Sequence, residues 1–160
     1  MPLRQPRRHF VTALRLSKEQ PTKSDGPNVR NPDISSGIPP SKIYTFHEIE
    51  DLSSSPSSDR ILIDVREPSE VLHTGRIPSA QNIPISSAPD AFFMSPEDFE
   101  DKFGFPRPSK QDEVVFYCKA GVRSRAAARL AGQAGFGGKI GEFPGSWMEW
   151  ERKGGASDKS

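Results

Sequence analysis

The most informative stretch of the sequence runs from residue 114 to residue 136 and reads VVFYCKAGVRSRAAARLAGQAGF. It begins with the apolar run Val114–Tyr117, which predicts a strand that is covered on both faces. Its second half places alanine and leucine on one helical face and arginine on another, which predicts a helix from Ser124 to Phe136. A short glycine-containing loop joins the two elements and begins with Cys118, the only cysteine of the chain.

Similar signals on either side extend this pattern to a domain over residues 42–153. A Thr-x-x-Glu capping box at Thr45 and Glu48 predicts a helix over 46–53. The other expected elements, in chain order, are a strand over 61–65, a helix over 68–73, a strand over 82–85, a helix from 96 to 104 or 106, a strand over 139–143 and a helix over 146–153. The alternation predicts an α/β fold with a central, mainly parallel sheet of about five strands and helices on both faces.

The two ends of the chain differ in composition from this domain. Residues 1–18 contain five Lys or Arg and no acidic residue, a pattern typical of a mitochondrial transit peptide. An unstructured basic tail on a cytoplasmic protein is the alternative. Residues 19–41 are rich in Pro, Ser and Asn, so we expect a disordered linker, because such a stretch buries too little apolar surface to order itself. Residues 154–160 are expected to form a flexible tail.

Charge and composition argue against several classes of protein. The net charge of +1 is divided into +4 over residues 1–40 and −3 over residues 41–160, and a slightly acidic domain argues against nucleic-acid binding. Apolar runs reach about five residues, whereas a transmembrane helix needs about 20. One cysteine cannot form an intramolecular disulfide or a Cys-rich zinc site. We therefore expect no nucleic-acid or membrane partner, no metal and no organic cofactor. The sequence carries no signal for an oligomeric state.

The loop after the strand Val114–Tyr117 is the predicted reactive site. In a parallel sheet, ligands bind beyond the carboxyl ends of the strands, which is where Cys118 lies. Backbone N–H groups of a glycine-containing loop that leads into a helix can form an anion-binding nest, and Lys119 and Arg123 add positive charge. These features should lower the pKa of the Cys118 thiol and keep it as the nucleophilic thiolate, without a histidine base. A small buried structural cysteine is the alternative.

Three motifs occur in a specific order and spacing. They are ILIDVREPSE with GRIPSAQNIP (Ile61–Glu70 and Gly75–Pro84), CKAGVRS (Cys118–Ser124) and FPGSWMEW (Phe143–Trp150). Together they resemble the rhodanese (thiosulfate sulfurtransferase) family, specifically its single-domain members, over most of residues 42–153. The resemblance implies an α/β fold with a central parallel sheet and a loop cysteine that cycles through a persulfide.

The resemblance also implies roles for individual residues. Cys118 would attack the outer sulfur of thiosulfate or a similar donor, expel sulfite, and pass the sulfur to an acceptor such as cyanide, glutathione or a protein dithiol. The backbone of six residues would cradle the donor and the persulfide: Lys119, Ala120, Gly121, Val122, Arg123 and Ser124. Arg123, with Lys119 second, would bind the sulfonate end. Asp64 and Arg66 match family positions near the floor of the site and would orient loops there, with direct contact between Arg66 and substrate as the alternative.

Loop length distinguishes two chemistries in relatives of this family. Dual-specificity phosphatases and arsenate reductases resemble it but use a loop with the spacing C-x5-R, which surrounds a tetrahedral oxyanion. Here the spacing from Cys118 to Arg123 is C-x4-R, and Tyr117 stands where those phosphatases commonly place histidine. Sulfur transfer is therefore favoured. A persulfide carrier or binding module in a sulfur relay remains a second hypothesis, and a phosphatase or arsenate reductase a third.

Overall fold

The computed structural model describes residues 37–159, so the predictions for residues 1–36 lie outside the described residues. Within that range the chain forms five strands, five α-helices and one 3₁₀ helix. In chain order they are β1 (Lys42–Ile43), α1 (Phe46–Ser54), β2 (Arg60–Asp64), α2 (Pro68–Thr74), β3 (Gln81–Asn82), the 3₁₀ helix (Pro89–Phe93), α3 (Pro96–Phe103), β4 (Glu113–Tyr117), α4 (Val122–Ala134), β5 (Lys139–Glu142) and α5 (Ser146–Arg152). None of the helices within residues 37–159 has the length and apolar character needed to cross a membrane.

The strands form one sheet in the order β1-β5-β4-β2-β3, and every neighbouring pair is parallel. The central strand β4 pairs with β2 along its full length, from Glu113 opposite Arg60 to Tyr117 opposite Asp64. The predicted parallel sheet of about five strands is therefore confirmed. Because the strands run in one direction, the last residues of β2, β4 and β5 lie at the same edge of the sheet, and Cys118 follows β4 there.

Two apolar clusters cover the two faces of the sheet. Val114 and Phe116 of β4 belong to one cluster, with buried side chains of α3 and α4. Val115 and Tyr117 belong to the other, with buried side chains of α1 and α5. This alternation follows from the two-residue period of a strand. It confirms that helices pack on both faces and explains why β4 is apolar at almost every position.

Several boundaries differ from the sequence-based predictions by a few residues. The capping box of α1 is present, with Thr45 and Glu48 bonded to each other's backbone N–H groups. Helix α4 begins at Val122 rather than Ser124, because Gly121 turns the chain into the helix at φ +98°. The strand predicted over 82–85 is confined to Gln81–Asn82, since Pro84 has no N–H group for a regular ladder. The short β1 and the 3₁₀ helix were not predicted.

The C-terminal residues 154–159 form contacts that the composition did not indicate. Arg76 and Asp158 exchange two backbone hydrogen bonds of 2.8 and 2.9 Å, which form an isolated antiparallel bridge. The indole Nε1–H of Trp150 donates to the carbonyl of Ala156 at 2.7 Å. These contacts attach the segment to the domain at Ala156 and Asp158, and the flexibility of the tail stays a prediction. The main contacts of the segment are made by the backbone, which composition does not report.

Candidate active site

Cys118 lies where β4 ends and the loop into α4 begins. The residue is only 1% exposed, and its side chain belongs to the apolar cluster on the α4 face. It is not surrounded by hydrocarbon alone, because the backbone N–H of Gly121 donates to its Sγ at 3.0 Å. The hydroxyls of Ser124 and Ser146 lie 3.6 and 3.8 Å from the same sulfur. Polar groups from the loop, α4 and α5 thus converge on one sulfur atom.

These polar groups change the acidity of the thiol. Burial is the largest single effect and raises the pKa of Cys118, but its hydrogen bonds with the Ser124 and Ser146 side chains and with the N–H groups of Ser124 and Gly121 together lower it by more. The resulting pKa lies below its usual value. A hydrogen bond to the charged form favours that form, so the site stabilises a thiolate without a neighbouring histidine.

Gly121 is required at its position for two reasons. Its φ of +98° lies in the region that residues other than glycine rarely adopt. In addition, a Cβ atom built there would lie 2.5 Å from the carbonyl oxygen of Pro144. Residue 121 can therefore approach the turn before α5 only because glycine has no side chain. This close approach places the Gly121 N–H beside Sγ.

Helix α5 holds the beginning of the loop in place. The N–H groups of Trp147 and Met148 donate to the carbonyls of Cys118 and Lys119 at 2.9 and 3.1 Å. The first N–H groups of a helix have no partner within the helix, and here the loop supplies partners. These bonds fix the two peptide groups that precede the turn at Gly121.

Ser146, which the sequence analysis did not select, is the first residue of α5 and is fully buried. Its hydroxyl accepts a hydrogen bond from the backbone N–H of Cys118 at 3.1 Å and donates to the carbonyl of Phe143 at 2.8 Å. The only sequence signal for this residue is its place in the motif FPGSWMEW. Its contact with Cys118 spans 28 residues of sequence, and no local pattern indicates it.

Arg123 forms an ion pair that the sequence analysis also missed. Its two terminal nitrogens donate to the two carboxylate oxygens of Glu70 at 2.6 and 2.9 Å. The hydrogen bonds from Arg123 are the main reason that the pKa of Glu70 is lowered from 4.5 to about 2. Glu70 also accepts the backbone N–H of Glu67 at 2.9 Å, which fixes its position at the start of α2. Glu70 therefore orients Arg123 and balances its charge.

The other predicted loop residues lie at the surface. Lys119 and Ala120 are exposed, and the Val122 side chain is 80% exposed. Of the two predicted cations, Arg123 is thus paired with Glu70 and held in one position, whereas Lys119 is exposed at the surface. The structure brings Cys118, Gly121 and Ser124 into contact, whereas the side chains of the rest of the loop face outward.

Asp64 and Arg66 form a buried ion pair below the loop. Their side chains are 0% and 1% exposed, and Nη2 of Arg66 lies 2.6 Å from Asp64 Oδ2. Arg66 also donates to the Thr74 hydroxyl and the Gly75 carbonyl at 2.9 Å. Its guanidinium carbon lies 4.7 Å from the ring centroid of Trp147. Arg66 therefore connects the end of β2 to the end of α2 and packs against α5, and its donors are directed at protein groups.

Tyr117 immediately precedes Cys118 and is buried. Burial raises the pKa of its phenol well above the usual value, and its oxygen accepts the backbone N–H of Ile77 at 3.0 Å. It is a neutral structural group. Among residues 37–159, no three His, Cys, Asp or Glu side chains are grouped closely enough to hold a metal ion.

Comparisons with known proteins show the family and the fold of this domain. Residues 45–153 match the family model for the rhodanese-like domain. The chain is 41% identical over 118 residues to the mitochondrial thiosulfate sulfurtransferase RDL2 of Saccharomyces cerevisiae, covering 74% of this chain and 78% of that protein. It is 36% identical over 114 residues to a thiosulfate:glutathione sulfurtransferase of the same yeast, covering 70% and 79%. The crystal structure of the yeast single-domain sulfurtransferase RDL2 superposes with a TM-score of 0.69 at 39% identity, covering 76% of this chain and 98% of that one.

Proposed function

The chain belongs to the rhodanese-like domain family, and we propose that it is a single-domain thiosulfate sulfurtransferase that carries sulfur on Cys118. The observation that carries the proposal is the hydrogen bond from the Gly121 N–H to Sγ at 3.0 Å, at the one cysteine of the chain. Relatives of similar length that are named thiosulfate sulfurtransferases support it. The proposed mechanism uses only groups of this chain, the sulfur donor and the acceptor.

The first half-reaction loads the cysteine. The Cys118 thiolate attacks the outer sulfur of thiosulfate and forms an S–S bond, while the S–S bond of the donor breaks. Sulfite leaves with the electron pair of that bond. The backbone N–H groups of residues 119–124 cradle the donor anion and then the persulfide, as expected for a nest at a helix N-terminus. Arg123 and Lys119 attract the sulfonate end, and Glu70 keeps Arg123 in position.

The second half-reaction unloads the cysteine. A thiolate or cyanide attacks the outer sulfur of the persulfide, the S–S bond breaks, and the Cys118 thiolate is regenerated. The product is a new persulfide or thiocyanate. Glutathione is the proposed small acceptor, because relatives that act on it are similar to this chain over most of its length. Stabilising the Cys118 thiolate also makes it a better leaving group in this step.

Steady-state kinetics with a panel of donors and acceptors tests this function. The assay measures sulfite release from thiosulfate with cyanide or glutathione as acceptor, for the wild type and for Cys118→Ser. We expect turnover in the wild type and none in Cys118→Ser, with unchanged melting temperature. Arg123→Ala should raise KM for thiosulfate. Arg60→Ala is the control and should leave KM unchanged, because Arg60 is the first residue of β2 and Cys118 lies beyond the other end of the strands.

Two other outcomes would replace this proposal. A Cys118 persulfide that forms once but supports no turnover with small acceptors would indicate a carrier in a sulfur relay. Hydrolysis of an aryl phosphate that disappears in Cys118→Ser would indicate a phosphatase. Sulfur transfer by Cys118→Ser at the wild-type rate would exclude any mechanism through this residue.

Mitochondrial location is part of the proposal. Its support is the basic, acid-free composition of residues 1–18 and the mitochondrial name of the yeast relative RDL2. A fluorescent fusion of the full chain should colocalise with mitochondria, and a fusion that lacks residues 1–18 should not. Identical distributions of the two fusions would contradict a targeting role for these residues.

A further inference from the structure

Ser146 adopts a backbone conformation that would suit glycine better. Among residues 37–159, the non-glycine residues with positive φ are Ser79 at +70° and Ser146 at +53°. The preceding residue, Gly145, has an ordinary φ of −62° and is glycine for another reason, because a Cβ there would overlap the side chain of Glu149. A serine with left-handed backbone angles costs conformational free energy relative to glycine. We therefore expect the side chain at position 146 to make interactions that offset this cost.

The hydroxyl of Ser146 contacts both the backbone N–H and the sulfur of Cys118. It accepts the N–H of Cys118 at 3.1 Å, donates its proton to the carbonyl of Phe143 at 2.8 Å, and lies 3.8 Å from Sγ. The residue is 0% exposed, so water does not compete for these bonds. Its two hydrogen bonds fix the peptide group of Cys118 relative to the turn before α5.

This hydroxyl is not needed to attach α5 to the loop. The N–H groups of Trp147 and Met148 already make that connection through the carbonyls of Cys118 and Lys119. What the hydroxyl adds is a partner for the Cys118 N–H itself, together with a polar group next to the sulfur. Strained residues that persist in a well-packed site frequently serve its function.

We propose that Ser146 is a positioning residue for sulfur transfer, whose hydroxyl fixes the Cys118 peptide so that Sγ stays within reach of the Gly121 N–H. The inference rests on the proposed sulfurtransferase function, and it adds a residue outside the loop CKAGVRS to the machinery. It implies that reactivity at Sγ depends on the hydroxyl, whereas stability also depends on the backbone conformation at position 146.

Two substitutions separate these effects. Ser146→Ala and Ser146→Gly both remove the hydroxyl, but only the glycine variant relieves the positive φ. We expect Ser146→Gly to melt at a higher temperature than Ser146→Ala. Both variants should lose about tenfold in kcat/KM and in the rate of Cys118 alkylation by iodoacetamide at pH 7, the factor that corresponds to the loss of one hydrogen bond that positions Cys118. The pH midpoint of alkylation should rise in both.

Ser79→Gly is the matched control. Ser79 is exposed, has the same unusual sign of φ, and precedes β3, the outer strand that β2 separates from β4. This control should leave alkylation and kcat/KM unchanged. A Ser146→Gly protein with wild-type alkylation rate and pH midpoint would overturn the inference, and it would do so even if Ser146→Ala failed to fold.

The alkylation assay also separates this inference from the proposed function. If the wild type releases no sulfite from thiosulfate, the proposed function fails. The positioning role would still be supported by a slower alkylation in both Ser146 variants. Conversely, full sulfurtransferase activity together with unchanged alkylation in Ser146→Gly would retain the function and refute the role of Ser146.

Discussion

Replacement of Glu70 by glutamine tests the ion pair beside the reactive loop. The pair is bidentate, with nitrogen–oxygen distances of 2.6 and 2.9 Å to Arg123. The pKa of Glu70 is lowered from 4.5 to about 2. At about 1.4 kcal/mol per pH unit, this shift sets an upper limit of about 3 kcal/mol on the contribution of the ion pair to the free energy of unfolding. The side chains of Arg123 and Glu70 are 29% and 32% exposed, so solvent screening reduces the expected contribution to about 1 kcal/mol.

The contribution should depend on pH in a defined direction. The pKa of Glu70 is lower in the folded protein than in the unfolded chain, so the folded state is stabilised when Glu70 is ionised. The stabilisation is fully present above about pH 5 and is lost as the pH falls towards 2, through the folded pKa. The free energy of unfolding of Glu70→Gln should therefore be lower than that of the wild type by about 1 kcal/mol at pH 7, and the two should converge at low pH.

Urea denaturation of both proteins between pH 2.5 and pH 7 measures this difference. Glu50→Gln, which alters an exposed carboxylate on α1, is the control and should follow the wild type. KM for thiosulfate should also change in Glu70→Gln, because Arg123 loses the group that orients it. A stability difference that is equal at every pH, or absent at pH 7, would refute the assignment of this ion pair.

Two further substitutions test the loop and the residues below it. Gly121→Ala should lower the free energy of unfolding by about 2–4 kcal/mol in urea denaturation, because it combines a positive φ with a close contact to Pro144, and it should slow alkylation of Cys118. Stability within about 0.5 kcal/mol of the wild type, a typical surface effect, would contradict that geometry. Asp64→Asn should cost about 3–5 kcal/mol in the same assay, because it leaves the charge of Arg66 buried without its partner. A loss below about 1 kcal/mol would show that Arg66 is hydrated instead.

The sequence indicated the elements whose signals are local. The apolar runs of β2 and β4 follow from burial on both faces, and the helix α1 follows from its capping box. The position of Cys118 at the carboxyl edge follows from the order of a strand, a loop and a helix. Each of these features depends on residues that are close in the chain, so periodicity and capping rules are sufficient to predict them.

The features that the sequence did not indicate depend on distant contacts. Glu70 and Arg123 are 53 residues apart, and only the parallel arrangement of β2 and β4 brings them together. Ser146 reaches Cys118 because β5 lies beside β4. The two-residue strand β1 forms by pairing with the backbone of β5. The bridge between Arg76 and Asp158 consists of backbone hydrogen bonds, so it does not depend on the type of residue. Topology determines these contacts, and no local pattern encodes them.

The central claim is that the Cys118 thiolate accepts one sulfur atom from thiosulfate. Intact-mass spectrometry after incubation with thiosulfate, without an acceptor, measures this directly, together with the sulfite released. We expect a mass increase of about 32 Da, for one sulfur on the thiolate, with one sulfite per chain, and reversal of the increase when cyanide is added. An unchanged mass, or the same increase in Cys118→Ser, would contradict the account.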